Sequence, residues 1–192
     1  MWAGIALKKI LIAGEAGQTT NYENALAAMQ VHFVTSLQVK DVDEYDGLLL
    51  PGGGDVDPKL FGQLLIPETE IRQYSRWEQQ LIRKGQEKLT PELDRIQLAI
   101  LKAFCQYRKP VFGICKGMQL INIAFGGDML RHLPTAVHHA YREKDQMHPA
   151  RNEVNSFLYE VYGSDMLVNS AHHQGVGIPG RGIRYVQYAP DG

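Results

Sequence analysis

The strongest candidate for chemistry in the sequence is a cysteine between two glycines, Cys115 in the segment GICKG of residues 113–117. A short apolar run precedes this segment and a helical pattern follows it. In a strand, sharp turn and helix of this kind, the side chain at the turn stands clear of the sheet and the glycines permit tight packing. The helix N-terminus also favours thiolate over thiol. We therefore predict that Cys115 is a nucleophile, against the alternative of a buried structural cysteine.

A second candidate is the glycine-rich segment PGGGDVDP of residues 51–58, which follows the apolar run GLLL of residues 47–50. Three glycines at the carboxyl end of a strand leave backbone N–H groups free to point into the crevice where open α/β sheets bind ligands. These groups could hold a developing oxyanion, hold a phosphate, or form a plain turn. Phosphate is disfavoured because the segment has no Gly-Lys-Ser/Thr and opens no helix with G-x-G-x-x-G. Pairing with a nucleophilic Cys115 favours the oxyanion over the turn.

The other side chains that could react or bind metal fit no functional pattern. Cys105 lies in an apolar helical segment with no glycine nearby, so we predict a packing role for it. A histidine-rich stretch matches no metal-ligand spacing, and we expect its histidines to be exposed loop residues beside the active-site mouth. These histidines are His132, His138, His139 and His148. No metal and no cofactor is expected.

The elements that would position these residues alternate along the chain. Four short apolar runs predict strands, and their continuous apolar character is typical of strands covered on both faces. These runs are residues 8–13, 31–35, 47–50 and 111–114. Helical patterns lie at residues 21–29, 90–104 and 118–125, and the polar stretch 72–88 predicts a solvated helix or excursion.

This order of strand and helix predicts an α/β domain with a mainly parallel sheet. After Pro134 the pattern weakens, and the segments 152–162 and 183–188 are predicted as strands because they are rich in Val, Tyr and Phe. The chain has 192 residues and contains no repeat and no low-complexity linker. We therefore predict one domain over residues 1–192.

Composition excludes several classes of protein. The chain is 44% hydrophobic and 21% charged, so it can bury a core and lacks the signature of disorder. Its 20 basic and 21 acidic side chains provide no basic surface for a nucleic acid, and none is expected as a partner. No apolar run approaches the roughly 20 residues that span a bilayer, and residues 1–7 are too short for a secretory signal. We expect no membrane partner and a cytoplasmic location.

Four blocks of the sequence together resemble a known family. They are PGGGDVDP at residues 51–58, GICKGMQLIN at 113–122, GG at 126–127 and NSAHHQ at 169–174. Their types and order resemble the gamma-glutamyl-gamma-aminobutyrate hydrolase branch of the class I glutamine amidotransferase superfamily, over about residues 8–192. The resemblance implies a flavodoxin-like, three-layer α/β sandwich with a mainly parallel central sheet.

The resemblance also implies an activity and a set of site residues. The activity is hydrolysis of a small-molecule gamma-glutamyl amide, such as gamma-glutamyl-GABA, through a gamma-glutamyl thioester on Cys115. The backbone N–H groups of Gly53 and Lys116 would form the oxyanion hole. The residues that would contact the substrate are Gly54, Gln119 and His172.

One departure from the family pattern concerns the catalytic base. Family members complete a Cys-His-Glu triad with a His-x-Glu segment close to the C-terminus, and this sequence contains no such segment. The segment HPA of residues 148–150 lacks the glutamate and precedes the block at 169–174, so its order is wrong. We therefore expect residues 1–192 to be a truncated chain whose C-terminal part is incomplete.

Two other functions stay open at this point. The domain could be a glutaminase that supplies ammonia to a partner synthase, or a non-catalytic binding module that has lost its base. Trp77 and Leu81, on the polar helix, could form a homodimer contact or be isolated surface apolar residues. The sequence does not indicate the amine part of the substrate.

Overall fold

A computed structural model describes residues 8–191 of the chain, which separate into two compact units. The first unit contains the chain as far as Asp57 together with Lys88–Ala124. The second contains Pro58–Glu87 and the chain from Phe125 onward. The single domain over residues 1–192 stays a prediction.

Strands and helices are labelled in chain order across both units. The strands are β1 (Lys9–Ile12), β2 (His32–Thr35), β3 (Gly47–Leu50), β4 (Val111–Gly113), β5 (Met129–Leu130), β6 (Gln146–Asn152), β7 (Asp165–Ser170), β8 (Gly175–Val176) and β9 (Gln187–Tyr188). The α-helices are α1 (Thr20–Ala28), α2 (Glu68–Ile71), α3 (Arg76–Glu87), α4 (Pro91–Gln106), α5 (Lys116–Ala124), α6 (Ala136–His139) and α7 (Phe157–Tyr162). Short 3₁₀ turns occupy Val42–Glu44 and Pro58–Phe61.

The first unit contains a four-stranded sheet with the order β2-β1-β3-β4. Every neighbouring pair in this sheet is parallel, which confirms the predicted parallel α/β architecture. The order corresponds to a flavodoxin-like doubly wound sheet, which reverses direction between β1 and β3. Ligands of such sheets bind at the carboxyl ends of the strands, where the chain leaves β3 and β4.

The core of the first unit lies between this sheet and α4. All four residues of β3 are buried, as its continuous apolar run predicts. Leu48 and Leu50 pack in one cluster with Leu101 and Phe104 of α4. Pro91 is the first residue of α4, where its missing N–H leaves no helical hydrogen bond unmade.

The second unit contains two small antiparallel sheets, β5-β8 and β7-β6-β9. The prediction of a strand at 152–162 is wrong, because β6 ends at Asn152 and residues 157–162 form α7. The Ser156 side chain accepts a hydrogen bond from the Tyr159 N–H, and this cap starts a helix despite the β-forming Val and Tyr residues. Of the strand predicted at 183–188, only residues 187–188 are extended as β9.

The polar stretch at 72–88 contains α3, as predicted. Ile82 of this helix is buried with Ile66 and Ile71, which gives the second unit an apolar cluster of its own. The Arg142 guanidinium lies 4.6 Å from the centre of the Trp77 ring, so one face of this candidate dimer contact is occupied within the unit. Within residues 8–191, no helix is both long enough and apolar enough to cross a bilayer.

Candidate active site

Cys115 occupies the turn between β4 and α5, in the first unit. Its φ of 49° lies in the left-handed region, which a residue with a Cβ rarely adopts. The residue is exposed and its thiol is free, so the alternative of a buried structural cysteine is excluded. The turn therefore presents the sulfur outward at the carboxyl end of the sheet.

Two glycines make this turn possible by close approach. A Cβ on Gly113 would lie 2.6 Å from the backbone of Gly117 and of Met118, so the end of β4 touches the first turn of α5. A Cβ on Gly117 would collide with the Leu50 carbonyl oxygen and would lie 2.7 Å from the Leu50 Cβ. The glycines that flank Cys115 therefore allow α5 to pack directly on the ends of β3 and β4.

The glycine-rich loop lies against the Cys115 turn, because a Cβ on Gly52 would lie 3.5 Å from the Cys115 Cβ. Desolvation by the surrounding protein raises the pKa of the Cys115 thiol above its ordinary value, even though the residue is exposed at the surface. The Lys116 N–H opposes this by hydrogen bonding to the sulfur, and the Gly53 N–H does so to a smaller extent. The Asp55 carboxylate raises the pKa further. The structure thus places Gly52 beside Cys115 and Gly53 beside the Lys116 side chain, and the oxyanion hole that the family resemblance implies stays a prediction.

The glycine-rich loop after β3 is held at both ends. At its start, the Gly52 N–H donates a hydrogen bond of 2.9 Å to the Tyr22 hydroxyl. At its end, the Asp57 N–H donates a hydrogen bond of 3.0 Å to the Asp94 carboxylate of α4. Between these anchors Gly53 is exposed, so its amide is available at the surface beside Cys115. Sequence reasoning did not find either Tyr22 or Asp94.

Lys116 is almost completely buried although it carries a charge. Its Nζ lies 2.5 Å from Asp94 Oδ1, and the two side chains are 3% and 0% exposed. Its Nζ also donates a hydrogen bond of 3.4 Å to the Thr90 hydroxyl. Lysine is rarely buried unless it is paired, and Asp94 lies in the first turn of α4, where the helix dipole favours a negative charge.

The remaining predicted contacts are divided between the units. Gly54 is exposed in the loop of the first unit, with open space where a Cβ would be. Gln119 is buried in α5, one turn after the nucleophile, and its N–H bonds the Cys115 carbonyl at 3.1 Å. His172 lies in the second unit, where its ring stacks on that of His139 at 5.6 Å. Its predicted role as a substrate contact stays a prediction.

The histidines of the second unit form two clusters, and of the four that were expected in exposed loops, His138 is exposed on α6 and His148 is half-buried in β6. His132 and His139 are 9% and 5% exposed, which corrects the expectation that they are solvated loop residues. His132 and His139 belong to different clusters because they contact different residues. In one cluster His132 lies 3.0 Å from His173 and 3.3 Å from the Glu78 carboxylate, measured between nitrogen or oxygen atoms.

The other cluster is centred on His139. Its Nδ1 lies 3.2 Å from His148 Nε2, and its Nε2 lies 3.1 Å from the Asp191 carboxylate. His148 Nε2 in turn lies 2.6 Å from Ser170 Oγ, because positions 148 and 170 share the inward face of β6 and β7. Among residues 8–191, no three His, Cys, Asp or Glu side chains are arranged to hold a metal ion.

The pKa is lowered at two members of the second cluster, by burial at His172 and by hydrogen bonding at Asp191. Desolvation lowers the pKa of His172, partly opposed by its hydrogen bond to the Gln174 carbonyl. A hydrogen bond from His138 lowers the pKa of Asp191.

The prediction that Cys105 has a packing role is wrong, because Cys105 is exposed on α4 instead of packed in the core.

Known structures share this fold. A glutamine amidotransferase from Thermotoga maritima matches with a TM-score of 0.56 and 12% identity, over 90% of this chain and 64% of its own. A glutamine amidotransferase from Methylobacillus flagellatus matches with a TM-score of 0.57 and 18% identity, over 95% of this chain and 61% of its own. With the parallel sheet and its outward-facing cysteine, these likenesses define the class: an α/β protein of glutamine amidotransferase-like fold.

The chain belongs to the Peptidase C26 family, whose model matches residues 74–192. Protein NtpR of Enterococcus hirae is 28% identical over 160 residues, which are 79% of this chain and 59% of that protein. The gamma-glutamyl-gamma-aminobutyrate hydrolase PuuD of Escherichia coli K12 is 28% identical over 173 residues, 82% of this chain and 59% of that protein. The YvdE homolog of Lactococcus lactis subsp. cremoris, described as glutamine amidotransferase-like, is 30% identical over 148 residues, 72% of this chain and 68% of that protein.

These relatives support the resemblance at the level of the family but not at the level of one branch of it. Membership in the glutamine amidotransferase-like class is confirmed, whereas the gamma-glutamyl-gamma-aminobutyrate hydrolase branch stays a prediction because differently named relatives are equally similar. The chain spans 59% of the length of the first two relatives.

Proposed function

We propose that this protein hydrolyses gamma-glutamyl amides through a thioester on Cys115. One observation carries the proposal: an exposed, free cysteine at a left-handed strand-to-helix turn lies directly beside the glycine-rich loop, where a Cβ on Gly52 would lie 3.5 Å from the Cys115 Cβ. Membership in Peptidase C26 and the 28% identity to a gamma-glutamyl-gamma-aminobutyrate hydrolase support the choice of substrate class. The amine part of the substrate is not specified by these observations.

The reaction begins when the Cys115 thiolate attacks the gamma-carbonyl carbon. A carbon–sulfur bond forms and the carbonyl electron pair moves to oxygen, where the Gly53 and Lys116 amides stabilise the negative charge. Collapse of this intermediate breaks the carbon–nitrogen bond, and the amine leaves with a proton. Water then attacks the thioester, releases glutamate and returns the cysteine as a thiol.

The first step requires removal of the thiol proton. Desolvation raises the pKa of the Cys115 thiol and so disfavours the thiolate, and attack therefore requires a base that takes up the proton. The family pattern supplies a histidine held by a glutamate, and the sequence of residues 1–192 has no His-x-Glu segment. With this chain, we expect thioester formation to become faster as pH rises through the raised pKa of the thiol.

Three further side chains or backbone groups are proposed as substrate contacts. Gly54 offers an exposed backbone with room beside it, and Gln119 lies one helical turn from Cys115. His172 is proposed from the family pattern. Replacing each in turn should raise KM more than it lowers kcat, because these groups would bind the glutamyl portion in the ground state as well as in the transition state.

The test follows the thioester directly. The chain is incubated with gamma-glutamyl-GABA or with glutamine over a range of pH, and intact-mass spectrometry looks for one gamma-glutamyl group on Cys115. We expect an adduct and amine release in the wild type, and neither in Cys115→Ala. Cys105→Ser is the matched control, since it removes an exposed thiol outside the turn and should change neither signal. An undiminished release of amine by Cys115→Ala would remove the central assignment.

The same assay compares the proposed function with the two alternatives. Faster reaction with glutamine than with gamma-glutamyl-GABA would favour a glutaminase, to which the glutamine amidotransferase-like relatives also point. Binding of either compound without an adduct at any pH would favour a non-catalytic binding module.

A further inference from the structure

Lys116 contributes to the Cys115 environment twice, once through its backbone and once through its side chain. Its N–H directly follows Cys115 in the chain, at the first residue of α5, and opposes the rise in the pKa of the Cys115 thiol. Its side chain runs alongside Gly53, because a Cβ added to that glycine would lie 3.0 Å from Lys116 Cδ and 4.0 Å from Lys116 Cβ. Lys116 therefore provides one N–H group of the proposed oxyanion hole, and its side chain contacts Gly53, which provides the other.

The far end of this side chain is fixed by Asp94. The Nζ to Oδ1 distance is 2.5 Å, and neither side chain is more than 3% exposed. The other carboxylate oxygen of Asp94 accepts the hydrogen bond from the Asp57 N–H, at the end of the glycine-rich loop. A buried ion pair needs partners for its remaining polar groups, and here a loop amide bonds Asp94 Oδ2 and the Thr90 hydroxyl accepts from Lys116 Nζ. Asp94 Oδ1 makes no hydrogen bond among the described residues, so its contact with Lys116 Nζ is the ion pair alone.

The three glycines of the loop need such support because they have no side chains that could fix them by packing. Glycine has more conformational freedom than any other residue, so a run of three glycines has no intrinsic preference for one amide direction. The Tyr22 hydroxyl fixes the amide of Gly52, and Asp94 fixes that of Asp57. Gly53, between these anchors, has the Lys116 stem as its neighbour.

We propose that the buried Lys116–Asp94 pair is a positioning device that holds the Gly53 amide and the Lys116 amide together at the Cys115 sulfur. The assignment of these amides to an oxyanion rests on the proposed function, but their position at the sulfur does not. Lys116 and Asp94 act through the loop and the turn, and neither side chain needs to touch the substrate.

The decisive variant is Asp94→Asn, because two explanations predict opposite changes in the pKa of the Cys115 thiol. If the pair positions the amides, the thiolate loses hydrogen-bond support, so its pKa rises and alkylation becomes slower. If the Lys116 ammonium instead acts on the sulfur directly through its charge, loss of the neutralising carboxylate lowers the thiol pKa and alkylation becomes faster. If the pair serves stability alone, the alkylation profile stays unchanged while the melting temperature falls.

The measurement is the rate of iodoacetamide alkylation against pH, made in a Cys105→Ser background so that Cys115 is the one thiol. For Asp94→Asn we expect a rate about tenfold lower at a pH below the midpoint, which is the factor for losing one hydrogen bond to a charged group. Lys116→Met should show the same slowing, and Lys116→Arg should recover most of the rate. A midpoint that moves to lower pH, or does not move, would overturn the proposal.

Two further variants control for the loss of an ion pair in general and for a failure to fold. Lys109→Met breaks a partly exposed pair with Asp43 in the same unit, and it should leave the alkylation profile unchanged. The double variant Lys116→Met/Asp94→Leu replaces both charges with apolar groups of similar size, a change that commonly preserves folding. If single variants fail to fold, the double variant must still show slow alkylation, and a wild-type rate in it would contradict the proposal.

Hydrolysis is measured in the same proteins as a separate readout. Relative to the wild type, we expect kcat of Asp94→Asn to fall by about the factor seen in alkylation. KM should change little, because the oxyanion forms only in the transition state. Failure of the wild type to hydrolyse any gamma-glutamyl amide would remove the proposed function. It would leave the alkylation result, and with it the positioning role, intact.

Discussion

The two units organise their polar groups in different ways. In the first unit, the turn that carries Cys115 is built from glycines that touch neighbouring backbone and is followed by Lys116, whose side chain forms a buried ion pair with Asp94. In the second unit, imidazole rings contact one another and the carboxylates of Glu78 and Asp191. The first arrangement should therefore respond to the size of a substituted residue, and the second to hydrogen bonding and protonation.

The largest effect is expected for Gly117→Ala in the first unit. Alanine improves helix propensity by roughly 1 kcal/mol over glycine, but the added methyl would collide with the Leu50 carbonyl oxygen. Relieving this contact requires α5 to move away from β3. We expect a net loss of about 3 kcal/mol in the free energy of unfolding, measured by urea denaturation.

Gly54→Ala is the matched control for this variant. Its added methyl meets open space, and its φ is not in the left-handed region, so its free energy of unfolding should stay within about 0.5 kcal/mol of the wild type. Equal losses in the two glycine variants would show that backbone contact does not distinguish them.

A smaller effect is expected for Ser156→Ala in the second unit. This change removes the side-chain oxygen that accepts the Tyr159 N–H at the start of α7, and it should lower the free energy of unfolding by about 1 kcal/mol. Thr135→Ala, at the start of α6, is the control because the Thr135 side chain makes no capping hydrogen bond. A loss in the control as large as that in Ser156→Ala would argue against the cap.

The smallest effect concerns pH and His172. Desolvation holds the pKa of His172 below its ordinary value, so the folded state favours the neutral ring. The resulting stability is fully present above the pKa of a free imidazole, about 6.5, and is lost as pH falls through the lower pKa of the folded state. The Gln174 carbonyl partly opposes the shift, which limits its size.

Hydrogen exchange detected by mass spectrometry can follow both units in one experiment. Between pH 7.5 and 5, corrected protection should fall more in β6 and β7 than in β1 and β3, and His172→Gln should reduce the difference. His32→Gln replaces an exposed histidine of β2 and should leave it unchanged. An equal fall in both units, in every variant, would mean that the imidazole clusters do not govern acid sensitivity.

The elements of the first unit could be predicted from the sequence because their signals are local. The run at 47–50 is β3, and the helix predicted from Thr90 begins at Pro91. In the second unit, Asn155 adopts a φ of 65° and Ser156 caps α7, so the segment after Asn152 turns into a helix. Composition alone predicted the wrong element there. Phe157 and Val161 of α7 are exposed, so they do not form the buried apolar face whose spacing would have indicated a helix.

The candidate site was predictable only in part, for a related reason. Cys115 and its flanking glycines lie within five residues of one another, whereas Tyr22 and Asp94 are separated from their loop partners by 30 and 37 positions. A signal for Asp94 did exist. At helical spacing it shares the buried face of α4 with Leu101 and Phe104, and an acid on such a face implies a buried cationic partner.

The left-handed backbone at Cys115 has a consequence for how this chain can evolve. A φ of 49° would suit glycine better than any residue with a Cβ, so Cys115→Gly should relax the turn and make the protein more robust to heat. Selection for durability alone would discard the thiol. A thiol held in a sterically unfavourable conformation is therefore a feature that stability alone does not explain.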